Sequence, residues 1–492
     1  MNRNIALTVI ILVFLVSLVA GMQVVKVAEA SVADSSNVDW WPMFHHDLGH
    51  TGYSTSTGPA TNQTLWTFTT GGAVTTSPAV VDGKVYFGSD DGSIYAVNAS
   101  SGALIWNYST GGPVQSSPAV VEGVVYVGGF HSHAVFALNA SSGELLWSSP
   151  ISSVYPNEIS STAVANGLVY VDVYMAGTDG GVLYALNATT GALAWSWKPF
   201  IYLDSSPAVD GGKVYVCTGM ETVEALDEDS GASVWCVRIR DTGWNASSGG
   251  YFPLHCAPCV DKGILYVGDS NQTVYAMNAS NGAFLWSGKV VGGVDRSSAA
   301  VADGMVYIGT TVGGTSGNLS YGGVCALNAT TGVLAWNFTG SSVSSSSPAV
   351  AGGIVYVGFD DGWNQLNVTG GHDVCALNGT TGEVIWSYET GAAVYSSPAI
   401  ANEIVYVGSN DGKVYAFGSP QASQPPQTPT PSVPEFPSCL FIVLLMSIVL
   451  SVTISYRKLG RQSHKSNATK SLLSGLESQL SRLKSPFIWE SS

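Results

Sequence analysis

Short runs of alternating apolar and polar residues, mostly β-branched or aromatic, recur along the middle of the chain. They are broken by Asp-Gly, Asn-Gly or Gly-Gly pairs, which predicts antiparallel hairpins rather than helices. One unit repeats. Ser77-Pro-Ala-Val-Val-Asp-Gly-Lys-Val-Tyr-Phe-Gly-Ser89 is followed by Tyr95-Ala-Val-Asn-Ala-Ser-Ser-Gly-Ala-Leu-Ile-Trp106, and the pattern returns eight times. Each unit holds four strands, A to D. The spacing therefore predicts an all-β, eight-bladed β-propeller of four-stranded antiparallel blades over 65–418.

Seven copies read A-x-[ND]-x-x-x-G-x-x-x-W, from Ala96–Trp106 to Ala376–Trp386. This motif resembles the tryptophan-docking motif of pyrroloquinoline-quinone (PQQ)-type propellers, and the likeness spans residues 66 to 417. A Trp on the outer strand can cover the next blade, while Gly permits the tight turn. The resemblance implies the fold and says little of chemistry, because many propellers with this motif bind no quinone. Trp66, Trp106, Trp147, Trp195, Trp235, Trp286, Trp336 and Trp386 are the docking residues, but the last unit has no Trp of its own. Leu65-Trp-Thr-Phe68 is thus expected to supply the outer strand of blade eight and remove an open edge. Residues 31–64 carry Trp40-Trp-Pro-Met-Phe-His45-His46-Asp47 and His50, similar to the lead-in of such propellers. They read as a strap on the body rather than as a metal site.

Loop length separates the two ends of the propeller. From the strand-A Pro position to the strand-B Tyr is eight residues in every unit, whereas Tyr to the docking Asn or Asp runs from 12 to 22 residues. Length variation thus falls on the end that carries the B–C and D–A loops, where repeat folds gather their binding residues. The long loops hold Arg238, Arg240, Trp244 and Trp363 among others, aromatic and charged types suited to sugar or peptide contact. Three residues before the strand-A Pro position the blades present Thr75, Gln115, Ile159, Asp204, His255, Arg296, Ser345 and Tyr395. If that position faces the axis, Gln115, Asp204, His255, Arg296 and Tyr395 surround the channel mouth as ligand-binding candidates. If not, they are scattered polar residues.

His131-Ser-His133 would place two imidazoles on one side of an extended segment, a weak metal candidate with no third ligand. Cys325 and Cys375 replace the Tyr of Tyr-Ala-Leu-Asn and read as buried apolar residues. Cys217 with Cys236, or Cys256 with Cys259, could pair in an exported protein, and Cys-x-x-Cys-His is absent.

The ends change the picture. Residues 1–30 read as a signal peptide, with Arg3 before the apolar run Ile5–Ala20 and small residues at Ala28 and Ala30, or else as an uncleaved anchor. Residues 419–437 form a Pro-rich stalk. Residues 438–456 are uncharged and long enough to span a bilayer as a helix, and 457–492 form a basic tail, so the body is expected outside the cell membrane with a single pass. Val433-Pro-Glu-Phe-Pro437 resembles the archaeal PEF-type surface sorting signal, although the tail that follows favours a retained anchor. Fourteen N-x-S/T sequons occur, six of them in C–D turns at Asn98, Asn139, Asn187, Asn278, Asn328 and Asn378. These are glycosylation candidates in an exported chain and good turn chemistry in any chain.

Charge excludes one class of partner: residues 31–438 hold nine bases against 31 acids, which repels nucleic acid. The reading is a surface-anchored, non-catalytic binding or assembly scaffold that meets envelope proteins or glycans and needs no cofactor. The alternative that the resemblance implies is a PQQ- and Ca²⁺-dependent dehydrogenase of alcohols or sugars, with Arg296 near the quinone and Asp204 or Asp295 as base. That alternative lacks the family enzymes' large insertions and adjacent-cysteine disulfide.

Overall fold

The computed structural model describes residues 39–151, 156–175, 180–199, 203, 205–239, 254–312, 321–340, 342–343, 345–360 and 372–419. The chain divides into two compact units, Met1–Pro420 and Gln421–Ser492, and every described residue belongs to the first. The expected signal peptide, stalk, membrane span and tail lie outside the described residues, as do Asp204, Arg240, Trp244 and Trp363.

Eight antiparallel sheets form the eight blades. In blade one strands A to D are Ala79–Val81, Lys84–Gly88, Ser93–Asn98 and Leu104–Ser109. The A–B turns are tight because two successive residues take left-handed backbone, as in Asp82 (φ 49°) and Gly83 (φ 70°). Each C–D turn is capped by its first residue: Asn98 Oδ1 accepts the N–H groups of Ser100 and Ser101. The same pair of bonds recurs at Asn139, Asn187, Asn328 and Asn378; Asn278 accepts the Ser280 N–H and hydroxyl, and Asp227 caps the turn of blade four through Ser230.

Blade eight closes as the missing Trp requires. Its A to C strands, Ala399–Ala401, Ile404–Ser409 and Lys413–Phe417, are completed by Thr64–Thr69, with Trp66 opposite Ala416 and Phe68 opposite Val414. A register shift just before each docking Trp, as between Thr64 and Trp66 or Leu145 and Trp147, inserts one residue into the outer strand. This bulge leaves neighbouring apolar residues such as Leu104 and Ile105 exposed on the rim.

The core is a series of layers between blades, not one central mass. Seven of the eight docking Trp lie on the next blade's C–D turn and donate Nε1 to a carbonyl there, as Trp66 to Ala99 (2.8 Å), Trp106 to Ala140 (3.0 Å) and Trp286 to Ala329 (2.9 Å). The strand-B Tyr of the same blade donates to the same oxygen, Tyr86 to Ala140 and Tyr406 to Ala99. The motif glycine serves the preceding blade's Trp, not its own. A Cβ at Gly102 would sit 2.7 Å from the Trp66 ring, and one at Gly332 2.4 Å from Trp286. Blade eight has no C–D turn for blade seven to dock on, so Pro59 of the lead-in offers its carbonyl to both Trp386 and Tyr356 at 3.0 Å.

Candidate functional site

Residues 39–58 run across the inner strands. Backbone N–H groups of Val80, Val120, Val209, Val260, Val301 and Val350 donate in chain order to carbonyls of Trp41, Pro42, Leu48, Gly49, Thr51 and Gly52, each at 2.7–2.8 Å. The lead-in thus satisfies strand A of six blades, and its Phe44 lines the axial cavity. Its polar residues are only partly satisfied: His45 Nδ1 meets the His50 carbonyl at 2.7 Å, while His45 Nε2 and His50 Nδ1 are buried with no hydrogen-bond partner among the described residues. His46 lies between Asp39 (3.0 Å) and Asp47 (3.4 Å); burial alone would lower its pKa, but the two carboxylates hold it up at about 9. His45 and His50 are fully buried, and burial lowers both, His50 to about 3, so both rings are neutral.

Above this floor the wall is built from serines. In seven blades the residue just before the strand-A Pro position carries a hydroxyl that accepts the N–H of its counterpart in the preceding blade. Ser117 accepts from Ser77 at 2.9 Å, Ser161 from Ser117 at 3.4 Å, and so on round to Ser77, which accepts from Ser397 at 3.0 Å. Seven junctions are closed in this way; the eighth is open because blade five has Ala257, which offers Ser206 no oxygen. The residue before that, Thr76 or Ser in most blades, locks the chain to strand B by accepting an N–H twelve residues on, as in Gly88 to Thr76.

With two residues fixed per blade, the third is free to vary and points inward. Thr75, Gln115, Ile159, His255, Arg296, Ser345 and Tyr395 all line one cavity of about 520 Å³ at the end that carries the B–C and D–A loops, and Phe44 of the lead-in reaches it from below. The parity left open by the sequence is thereby decided in favour of the axis. Asp204, the eighth member, lies outside the described residues. Further lining residues escape the strand-A register, Asp90, Asp172 and Asn410 among them. Asp90 and Asn410 start B–C turns that read as plain hairpins, and Asp172 comes from the lengthened strand Leu168–Met175 of blade three. The longer B–C spacing of blade three singles out Asp172 and Tyr174 in the sequence, and both line the cavity. Gln115 Nε2 donates to Asp90 Oδ1 at 3.0 Å, and the Asp172 carboxylate accepts the Ser205 N–H at 3.4 Å. In an eightfold ring blade one faces blade five, so Asp90 stands across the axis from His255. The cup is polar and carries both signs of charge, which suits a ligand group with hydroxyls, amides or paired charges.

Other expectations are corrected. Arg238 is no loop residue: it ends the outer strand Ser233–Arg238, paired with Thr222, because the strand continues past Trp235. His131 and His133 sit in a turn, with His133 in left-handed backbone (φ 51°), so the i, i+2 spacing does not bring their rings to one side. Among the described residues no group of three or more His, Cys, Asp or Glu could hold a metal ion. Cys217 and Cys236 lie on strands B and D with strand C between them, about 10 Å apart and beyond disulfide reach. Cys325 and Cys375 are buried, as expected.

The PQQ–calcium site can be tested against these residues. Arg296 is in place for an anionic planar ligand, but the described carboxylates, Asp90 and Asp172, stand on different blades, and Asp295 does not line the cavity. The described residues do not build the calcium site such an enzyme needs.

Comparison with known proteins places the chain. It is 30% identical over 135 residues to the outer membrane protein assembly factor BamB of Yersinia pestis, 27% of this chain and 32% of that one. The match spans about a third of that curated relative. Two solved structures share the fold: quinohemoprotein alcohol dehydrogenase from Comamonas testosteroni (TM-score 0.64, 17% identity, 77% of this chain and 80% of that one) and BamB from Moraxella catarrhalis (0.54, 19%, 73% and 99%). Residues 52–171, 131–243, 219–364 and 361–423 match a PQQ-type repeat family, more than half of the chain. By its repeat, its docking tryptophans and this match, the chain belongs to the family described as outer membrane protein assembly factor BamB.

Proposed function

We propose that the protein is a non-catalytic scaffold, exported and held at the cell surface by residues 438–456, that binds envelope proteins or glycans through its long-loop face. The observation that carries this reading is the contrast within one repeat. Backbone-fixing positions stay Ser, Thr or Gly in almost every blade, while the seven described side chains at the cup all differ. A site that varies on a constant frame is shaped for one partner. The relatives named assembly factors agree with it. The six C–D sequons lie at the opposite end, so glycans there would leave the cup clear. Their Asn Oδ1 atoms cap the turns and no hydrogen bond occupies Nδ2, the glycan-accepting atom.

The runner-up is a PQQ- and Ca²⁺-dependent dehydrogenase, favoured by the position of Arg296 in the cup. Calorimetric titration with PQQ in Ca²⁺ buffer, beside a dye-linked oxidation assay on alcohols and sugars, separates the two. The scaffold reading expects neither saturable binding nor turnover; both together, abolished by Arg296→Ala, would move the protein to the dehydrogenases. A photo-crosslinking residue at Tyr395 should then give a discrete adduct in the native envelope that the same residue at Asn402, on the opposite end, does not.

A further inference from the structure

Blade five departs from the repeat at two adjacent residues, and blade four at one that touches them. Ala257 replaces the ring serine, so the junction between blades four and five lacks the N–H to Oγ bond that closes the other seven. Cys256 replaces the Ser or Thr that locks the chain onto strand B, and its Sγ keeps that role weakly, accepting the Gly268 N–H at 3.4 Å. Cys217 stands in strand B of blade four, where six blades have glycine and blade three has Asp172. That position faces the next blade: a Cβ on Gly88 would come within 2.3 Å of Val114, and one on Gly268 within 2.5 Å of Val294. In that register blade five offers Leu254, and Cys256, two residues on, is the neighbour that the Cys217 thiol meets. The two thiols are neighbours, each perturbing the other, and both are 0% exposed in one apolar layer.

We propose that Cys217 and Cys256 form a disulfide that fastens blade four to blade five where the serine ring is open. Two unrelated departures from a repeat would not be expected to meet. A covalent bond supplies here what Ala257 cannot. In the step itself each thiol gives up a proton and the pair gives up two electrons. One S–S bond forms, and an incoming disulfide, of glutathione or of a protein oxidant, is reduced to two thiols. Exchange must precede the docking of blade five on blade four, because both sulfurs are buried afterwards. The inference concerns the blade junction and does not depend on what the cup binds.

The test uses the full chain, reduced, unfolded and refolded in detergent with reduced and oxidised glutathione, then alkylated and digested without reductant. Cleavage at Lys213, Arg238, Arg240 and Lys262 should give residues 214–238 joined to 241–262. Since those peptides also contain Cys236 and Cys259, the link must persist in the Cys236→Ser, Cys259→Ser double variant. Adding Cys256→Ser, which restores the serine of the repeat, should abolish it. That triple variant should melt several degrees below the double variant without reductant and together with it in excess dithiothreitol. If Cys256→Ser does not fold, Cys217→Gly, the residue of six other blades, replaces it. Alkylation of both Cys217 and Cys256 after refolding, or a link that runs through Cys236 or Cys259, overturns the proposal.

Discussion

At the scale of single residues, the repeat separates two demands on glycine that look alike in sequence. Gly83 and Gly332 both have left-handed backbone (φ 70° and 69°), but a Cβ on Gly83 meets nothing within 4 Å, whereas one on Gly332 meets the Trp286 ring at 2.4 Å. Gly83→Ala should therefore cost about 1 kcal/mol, the conformational part alone. Gly332→Ala should cost roughly 2–4 kcal/mol, because Trp286 must also shift. Urea denaturation of the two variants checks the difference. Histidine titration gives a second prediction. His45 and His50 are both lowered by burial below 6.5, so their contribution is complete above that pH and lost as pH falls, for His50 through about 3. His46 is raised to about 9, so its contribution is complete below 6.5 and lost as pH rises through 9. Melting temperature should peak near neutrality; His50→Gln should flatten the acid limb and His46→Gln the alkaline one.

At the scale of the strand and blade, the docking spacing was legible because it is local: eight residues from Asn98 to Trp106 bring one turn and one ring into a fixed relation. The serine ring was not legible. Ser-Ser-Pro reads as a strand start, and nothing in the order of residues says that Ser77 N–H meets a hydroxyl forty residues away. The ring makes a prediction of opposite signs. Ser347→Ala removes the acceptor for Ser298 and should cost about 1 kcal/mol, while Ala257→Ser supplies one to Ser206 and should stabilise by a similar amount. Thermal melts of both variants in reductant, so that no disulfide intervenes, decide it. The cup was half legible for a related reason. Strand-A positions can be counted from Pro, which found His255, Arg296 and Tyr395, and the long B–C segment of blade three gave Asp172, but Asp90 and Asn410 enter from short B–C turns that read as plain hairpins.

At the scale of the molecule, the ring is held shut by chain from its beginning. Thr64–Thr69 completes blade eight, and Pro59 stands in for the turn that blade eight lacks. A chain lacking residues 39–69 would expose the Lys413–Phe417 edge and leave Trp386 without its acceptor. It should lose the cooperative unfolding transition and self-associate through that edge, which light scattering after size-exclusion chromatography will detect. Removing only 39–58 should spare the blades yet free six inner-strand N–H groups, with a smaller loss of stability.

The sequence alone determined the blade count, the strand order within each blade, the closing strand and the end of the propeller that varies. All of these follow from periodicity, turn residues and loop lengths, quantities that a linear chain carries. Only the tertiary structure decided that the lead-in bonds to strand A of six blades, that the varied side chains face the axis, and that Cys217 shares an apolar layer with Cys256 while strand C separates it from Cys236. Each of those depends on which residues of different blades come together when eight units close a ring. Such pairings are fixed by packing across some forty residues of separation, and no local pattern records them.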